Sequence, residues 1–223
     1  MNQRVSTALF ALSVSVSALL QTASASANNP SYFELEIKQQ RIPVKGNSQL
    51  ESSSFGFRYR EYLANNVGFE MTLGRLGLDH ENNNNALGYS PAGYHAGLGL
   101  SASTAAKKRF QAGADISYSY FNSDHRQIKD KIEISATLAQ ARLWLALQLT
   151  PQLKAYACAF AIGLDGEQTL TGTITTETQL DNQDKTGECG GLRWEIEDNG
   201  IVGIEANGGA LRGGRIYFGR RFN

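Results

Sequence analysis

The sequence predicts an all-β chain that closes into a transmembrane antiparallel up-and-down β-barrel. Two observations carry that expectation. From Arg109 to Phe121, the residues Phe110, Ala112, Ala114, Ile116, Tyr118 and Tyr120 fall on one parity, and Gln111, Gly113, Asp115, Ser117 and Ser119 on the other. This is a strand with one apolar and one polar face. Its alternation lasts for the roughly 9–11 residues a tilted membrane strand needs, not the about 5–6 of a typical globular strand. In addition, beyond the N-terminal region no apolar run is long enough for a membrane helix, so a crossing falls to strands. In lipid those strands must close, because an open edge leaves backbone amides and carbonyls unpaired.

The N-terminus suggests export. Arg4 precedes an uncharged apolar run, Ala8–Leu20, and Ala25-Ser26-Ala27 supplies small residues where a signal peptidase reads. Residues 1–27 are expected to be a cleaved signal and 28–223 the barrel domain. Lysines plus arginines equal aspartates plus glutamates, 21 against 21, so no excess charge recruits nucleic acid.

Taken in order, the first strand is Tyr32–Gln40, with Phe33, Leu35 and Ile37 opposing Glu34, Glu36 and Lys38. After Gly46-Asn47 comes Ser53–Leu63, where Phe55, Phe57 and Tyr59 oppose Gly56, Arg58 and Arg60. Asn65-Asn66 turns into Val67–Leu73. The parity then breaks near Gly74-Arg75, where a bulge or the membrane edge is expected, and the strand ends in the polar run Asp79–Asn85. The fourth strand, Ala92–Ala102, puts Tyr94, Ala96, Leu98 and Leu100 outward. Ala105–Lys108 leads to the fifth, already described, and Asn122–Lys131 reads as a polar loop. The sixth, Ile132–Leu149, shows Leu143, Leu145, Leu147 and Leu149 on one face, with a parity shift in its upper half that suggests a second bulge.

Thr150-Pro151-Gln152 turns into the seventh strand, Leu153–Gly163, and the longest connection, Leu164–Lys185, follows. Its threonines Thr169, Thr171, Thr173 and Thr175 suggest a hairpin that continues above the membrane. Gly187–Ile196 is the eighth strand, and Asp198-Asn199-Gly200 is a strong turn signal. Ile201–Ala206 and Gly214–Phe222 are the ninth and tenth. Ten is even, as single-chain bacterial barrels require; miscounted bulged strands would make it eight.

The inward parity holds most of the chemistry. Glu34, Glu36, Glu70, Asp115, Glu195 and Glu205 share it with Lys38, Arg58, Arg60, Arg142, Lys154, Arg193 and Arg215. A barrel this narrow has little interior beyond its own side chains, and buried unpaired charges are costly, so an ion-pair network is expected to fill the lumen. Cys158 and Cys189 lie on the inward parity of neighbouring strands, at similar distances from their turns, and the exported compartment is oxidising. A disulfide between them is expected. No His or third Cys shares their spacing, so neither a metal nor a cofactor is expected.

The export signal, the amphipathic strands and the aromatic-ended terminal strand Arg215–Phe222 resemble the small bacterial outer-membrane barrel family, the OmpA-like and OmpX/OmpW-like proteins. The resemblance implies location in the outer membrane of a Gram-negative cell, contact with its lipid and lipopolysaccharide, and assembly through the barrel assembly machinery, which would read Phe218 and Phe222. It also implies a structural or interaction role through extracellular loops that contact a ligand. A narrow small-solute, porin-like channel is the alternative reading and an outer-membrane hydrolase the third. For the third, Asp79-His80 and Asp124-His125 distantly resemble the mouth residues of omptin-type proteases. Solvated loop residues explain them as well, and catalysis is not expected. His95, inward, is expected to be a hydrogen-bonded lumen residue.

Overall fold

The computed structural model describes residues 31–64, 66–81, 90–104, 109–127, 130–172, 175–196 and 199–222. The expected signal peptide lies outside them, as do Asn65, the Asn82–Asn85 run, the Ala105–Lys108 turn, Thr173 and Asp198. The described residues form eleven strands: β1 Ser31–Val44, β2 Ser48–Ala64, β3 Val67–Glu81, β4 Ala92–Ser103, β5 Phe110–Gln127, β6 Asp130–Gln148, β7 Leu153–Thr171, β8 Thr176–Asp181, β9 Thr186–Ile196, β10 Gly200–Asn207 and β11 Arg212–Phe222. All pairings are antiparallel. The ring runs β6-β5-β4-β3-β2-β1-β11-β10-β9-β7 and closes through β6–β7. It is a ten-stranded up-and-down barrel, and β8 stands outside the ring.

The outward face carries the apolar belt that a membrane requires. Phe33, Ile37, Phe55, Phe57, Met71, Leu98, Ile116, Leu143, Leu145, Ile204, Ile216 and Phe218 are all exposed. In water such a surface would be an aggregation hazard; in lipid it is the seat of the barrel, and with this fold it places the chain in the outer membrane. The ends of β1 and β11, paired as Ser31↔Phe222, lie at the end of the short turns, which in such barrels faces the periplasm.

At the other end the strands outrun the membrane. β5, β6 and β7 have 18, 19 and 19 residues, roughly twice what a crossing uses. Above the belt the two faces exchange chemistry. Ile42, Val44, Leu50, Leu76, Leu78, Ile134, Leu138, Ile162 and Leu164 now point inward and pack into one buried cluster. On the outside are Arg41, Glu51, Asp79, Asp124, Glu133, Asp165 and Glu167. The upper section is thus a water-facing barrel with an apolar core, set on a lipid-facing barrel with a polar core.

This exchange takes the place of the bulge expected in the sixth strand, and at Gly74-Arg75 it is the membrane edge, the other expectation, that breaks the parity. Pairing runs unbroken through Phe55↔Arg75 and Gly56↔Gly74, and β6 keeps register with both neighbours throughout. Alternation continues; what changes is the solvent outside, so apolar residues switch parity without an inserted residue. Among the described residues the irregularity in the ring falls between Tyr62 and Ala64. The expected loop Asn122–Lys131 is likewise mostly strand, with β5 and β6 paired from Phe110↔Leu147 up to Gln127↔Asp130.

The long connection after the seventh strand forms a hairpin above the membrane. β7 continues to Thr171 and β8 pairs with it from Asp165↔Asp181 to Leu170↔Thr176. The chain leaving β8 then reaches across the mouth to the tip of β1. The Lys45 amide donates to the Asp181 carbonyl at 3.0 Å and the Gln183 amide to the Pro43 carbonyl at 2.8 Å, and the Lys45 ammonium pairs with the Asp181 carboxylate. Leu180, from β8, and Ala210 and Leu211, before β11, complete the apolar cluster beneath this strap. On the opposite rim of the mouth Gly46 and Asn47 turn β1 into β2 with positive φ of 90° and 60°, values that favour these two residue types.

Candidate functional site

Below the apolar cluster, the lumen of the membrane section is crossed by charge. Glu70 accepts from Arg60 Nη2 at 2.5 Å and lies 3.4 Å from Arg58 Nε. Arg58 Nη2 in turn stands 3.0 Å from Glu36, which Arg215 Nη1 approaches at 3.1 Å. Arg215 Nη2 reaches Glu205 at 3.1 Å, Arg142 Nη1 reaches the same carboxylate at 3.4 Å, and Arg142 Nη2 lies 2.7 Å from Asp115. The eight side chains form one alternating sequence, Arg60–Glu70–Arg58–Glu36–Arg215–Glu205–Arg142–Asp115, with four charges of each sign.

Its strands are β2, β3, β1, β11, β10, β6 and β5. Most links join neighbouring strands, where parity brings side chains together. The Glu205–Arg142 link does not, because β9 and β7 stand between β10 and β6 in the ring, so the network bridges the lumen. Tyr156 donates to Glu205 at 2.9 Å from another wall. Glu36 is 1% exposed and Arg215 9%, which makes each a buried ion whose desolvation only its partners offset.

The other five charges of the expected network, Glu34, Lys38, Lys154, Arg193 and Glu195, stand apart from this sequence. Glu195 pairs with Lys154 at 3.4 Å and with Arg221. Arg193 stacks over the Tyr32 ring, 4.5 Å from its centroid. Glu34 is buried on the same wall. Lys38 lines two small polar cavities of about 70 and 60 Å³ under the apolar cluster and, among the described residues, lies within 4.0 Å of no carboxylate. Sequence reading missed Arg221, although the parity that turned Arg215 inward also turns Arg221 inward. It also missed the inward aromatics Tyr32, Tyr62, Trp144, Tyr156 and Tyr217, which the same alternation would have found.

Glycines give those rings their room. Gly113 faces Trp144, Gly191 faces Tyr156, Gly203 faces Tyr217, Gly187 faces Phe160 and Gly74 faces His95 as direct cross-strand partners. In each case a Cβ on the glycine would fall within 2.1–2.5 Å of the partner's ring. The ring lies over the bare backbone opposite, filling the lumen where a side chain is missing.

Cys158 and Cys189 are register partners on β7 and β9 and form a disulfide, with Cα atoms 4.9 Å apart. The bond sits between the charge layer and the apolar cluster. Phe218 and Phe222 are exposed on the belt.

The loop histidines fall differently from the expectation of solvated surface residues. Asp79 and His80 belong to β3 and point to opposite faces: Asp79 is exposed, while His80 is 4% exposed inside the upper barrel. Its ring nitrogens meet Gln168 Oε1 at 2.6 Å and Ser48 Oγ at 3.0 Å. Burial beside an apolar core makes those contacts necessary, and the strand parity prevents Asp79 and His80 from acting as one unit. Asp124 and His125 likewise lie on opposite faces of β5. His95 is inside the lumen, 3% exposed, but its Nε2 meets no hydrogen-bond partner among the described residues.

No protein-family model matches the chain, and no curated protein matches it either. Solved structures do. The transport unit of the autotransporter AIDA-I from Escherichia coli aligns with a TM-score of 0.51 at 10% identity, over 93% of this chain and 96% of that one. The β domain of the Bordetella autotransporter BrkA aligns with a TM-score of 0.51 at 9% identity, over 88% and 100%. The attachment invasion locus protein Ail of Yersinia pestis aligns at 0.40 and 10% identity, over 88% and 100%. The chain has the fold of bacterial outer-membrane β-barrels.

Proposed function

We propose that this outer-membrane barrel is a non-conducting, non-enzymatic surface protein that works through the section standing outside the bilayer. The observation that carries the reading is the apolar cluster across the upper lumen, strapped by β8 and resting on a charge network that bridges the barrel. A pore would need a continuous wet path, whereas here the layer above the charges is aliphatic and buried, with Ile134 and Leu180 at 0% and 1% exposure. The outer wall of that section is polar and strand-built, a rigid platform for contact with an extracellular ligand. Arg41 and Arg75, outward just above the belt, suit the phosphates of lipopolysaccharide. Phe218 and Phe222 suit recognition of the terminal strand by the barrel assembly machinery.

Planar-bilayer recording tests the reading. The unmodified protein should give no steady current, while a variant that breaks both layers, Leu211→Asp with Arg58→Ala, should leak. A stable single-channel current from the unmodified protein would overturn it in favour of a small-solute channel.

A further inference from the structure

The periplasmic mouth of the lumen holds a third cavity, of about 140 Å³. An apolar cavity of about 150 Å³ is enough for benzene, so the space suits one six-membered ring. Tyr62, Trp144 and Tyr217 supply aromatic wall, and the charge network supplies the floor through Arg142, Glu205 and Arg215. Six cationic side chains but only two carboxylates, Glu34 and Glu205, reach this surface.

Four of those six cations belong to the alternating network and are neutralised within it. Two do not. Lys154 shares the single carboxylate of Glu195 with Arg221. Among the described residues Arg193 has no carboxylate within 4.0 Å, and its buried Nε and Nη2 meet no acceptor. Stacking on Tyr32 fixes the guanidinium plane and, with the flat face occupied, leaves the edge donors for a ligand. Buried donors of this kind are costly unless matched, and a carboxylate matches a guanidinium edge with two parallel hydrogen bonds.

We propose that this mouth is a binding site for a small aromatic carboxylate, with the anion on Arg193 and Lys154 and the ring among Tyr62, Trp144 and Tyr217. The network below closes the route onward, so the ligand enters and leaves from the periplasmic side. The binding goes beyond the outward-facing role; its one-sided access alone rests on the closed lumen of that reading.

The chain has two tryptophans, and Trp194 faces lipid. In a Trp194→Phe background, Trp144 fluorescence reports occupancy directly. Benzoate should quench it saturably, and benzyl alcohol, with the same ring but no charge, should bind at least about tenfold more weakly. Arg193→Gln should weaken benzoate by a similar factor while leaving benzyl alcohol unchanged. Lys154→Gln serves as the second variant should Arg193→Gln fail to show the heat-dependent gel mobility of a folded barrel. Absence of saturable benzoate quenching, equal affinity for benzyl alcohol, equal affinity for sulfate, or unchanged benzoate binding in folded variants would each overturn the proposal.

Discussion

At the residue scale, the contrast between buried and exposed ion pairs sets what each charge contributes. Arg215 holds Glu36 and Glu205 together in the lumen. Arg215→Ala should leave two buried carboxylates short of a partner and cost about 3–5 kcal/mol in a urea refolding titration into lipid vesicles. Arg41, paired with Glu51 at 3.1 Å on the outer wall, is solvated, and Arg41→Ala should cost no more than about 1 kcal/mol in the same titration. The Gln39 amide, donating at 2.7 Å, and then Arg41 hold the Glu51 carboxyl below its usual range. A carboxyl depressed in the folded state stabilises above its unfolded pKa, about 4.3, and loses that contribution as pH falls through the folded value. Coupling between Arg41 and Glu51 in a double-mutant cycle should therefore be present at neutral pH and vanish in acid. The inward charges were legible from strand parity alone. Their order in the network was not, because Glu36–Arg215 depends on β1 meeting β11, and Arg142–Glu205 on the width of the closed ring.

At the element scale, strands were legible wherever alternation and solvent agreed. They were misread where β6 leaves the lipid and left between two readings, bulge or membrane edge, in β3, since in both the apolar residues change face with the medium rather than with the backbone. Glycines were the other partly hidden feature. Gly203 and Gly163 look alike in sequence, yet a Cβ at Gly203 would stand 2.1 Å from Tyr217 Cζ, while at Gly163 it would meet nothing within 4 Å. Gly203→Ala should push the ring out of place and cost about 1–3 kcal/mol, with Gly163→Ala near neutral in the same assay. β8 gives an independent test of the strap. Leu180 is buried in the upper cluster, so Leu180→Ala should cost about 2–5 kcal/mol if the barrel unfolds as one unit. If the upper section opens separately, external protease should nick the β7–β8 hairpin while heat-dependent gel mobility stays unchanged. Cleavage within the belt would exclude that local opening.

At the scale of the whole molecule, two barrels of opposite polarity share one set of strands, and the height at which they exchange defines the bilayer boundary. β6 samples both on one outward face: Leu145 is exposed within the belt, and Thr137, two turns of the pleat beyond Ala141, lies on the same parity in the upper section. An arginine at Leu145 has to be carried into hydrocarbon, at about 2–4 kcal/mol near the midplane. An arginine at Thr137, among Glu133, Asp165 and Glu167 on the outer wall, meets water and carboxylates and should cost close to nothing. Refolding titrations of Leu145→Arg and Thr137→Arg into the same vesicles compare the two directly, with backbone pairing identical at both sites. Equal costs would mean that the lipid reaches Thr137, and the apolar interior above it would then have no aqueous surroundings to account for it. A large difference places the boundary between the two residues and leaves the upper section standing in solvent, where a partner can reach it.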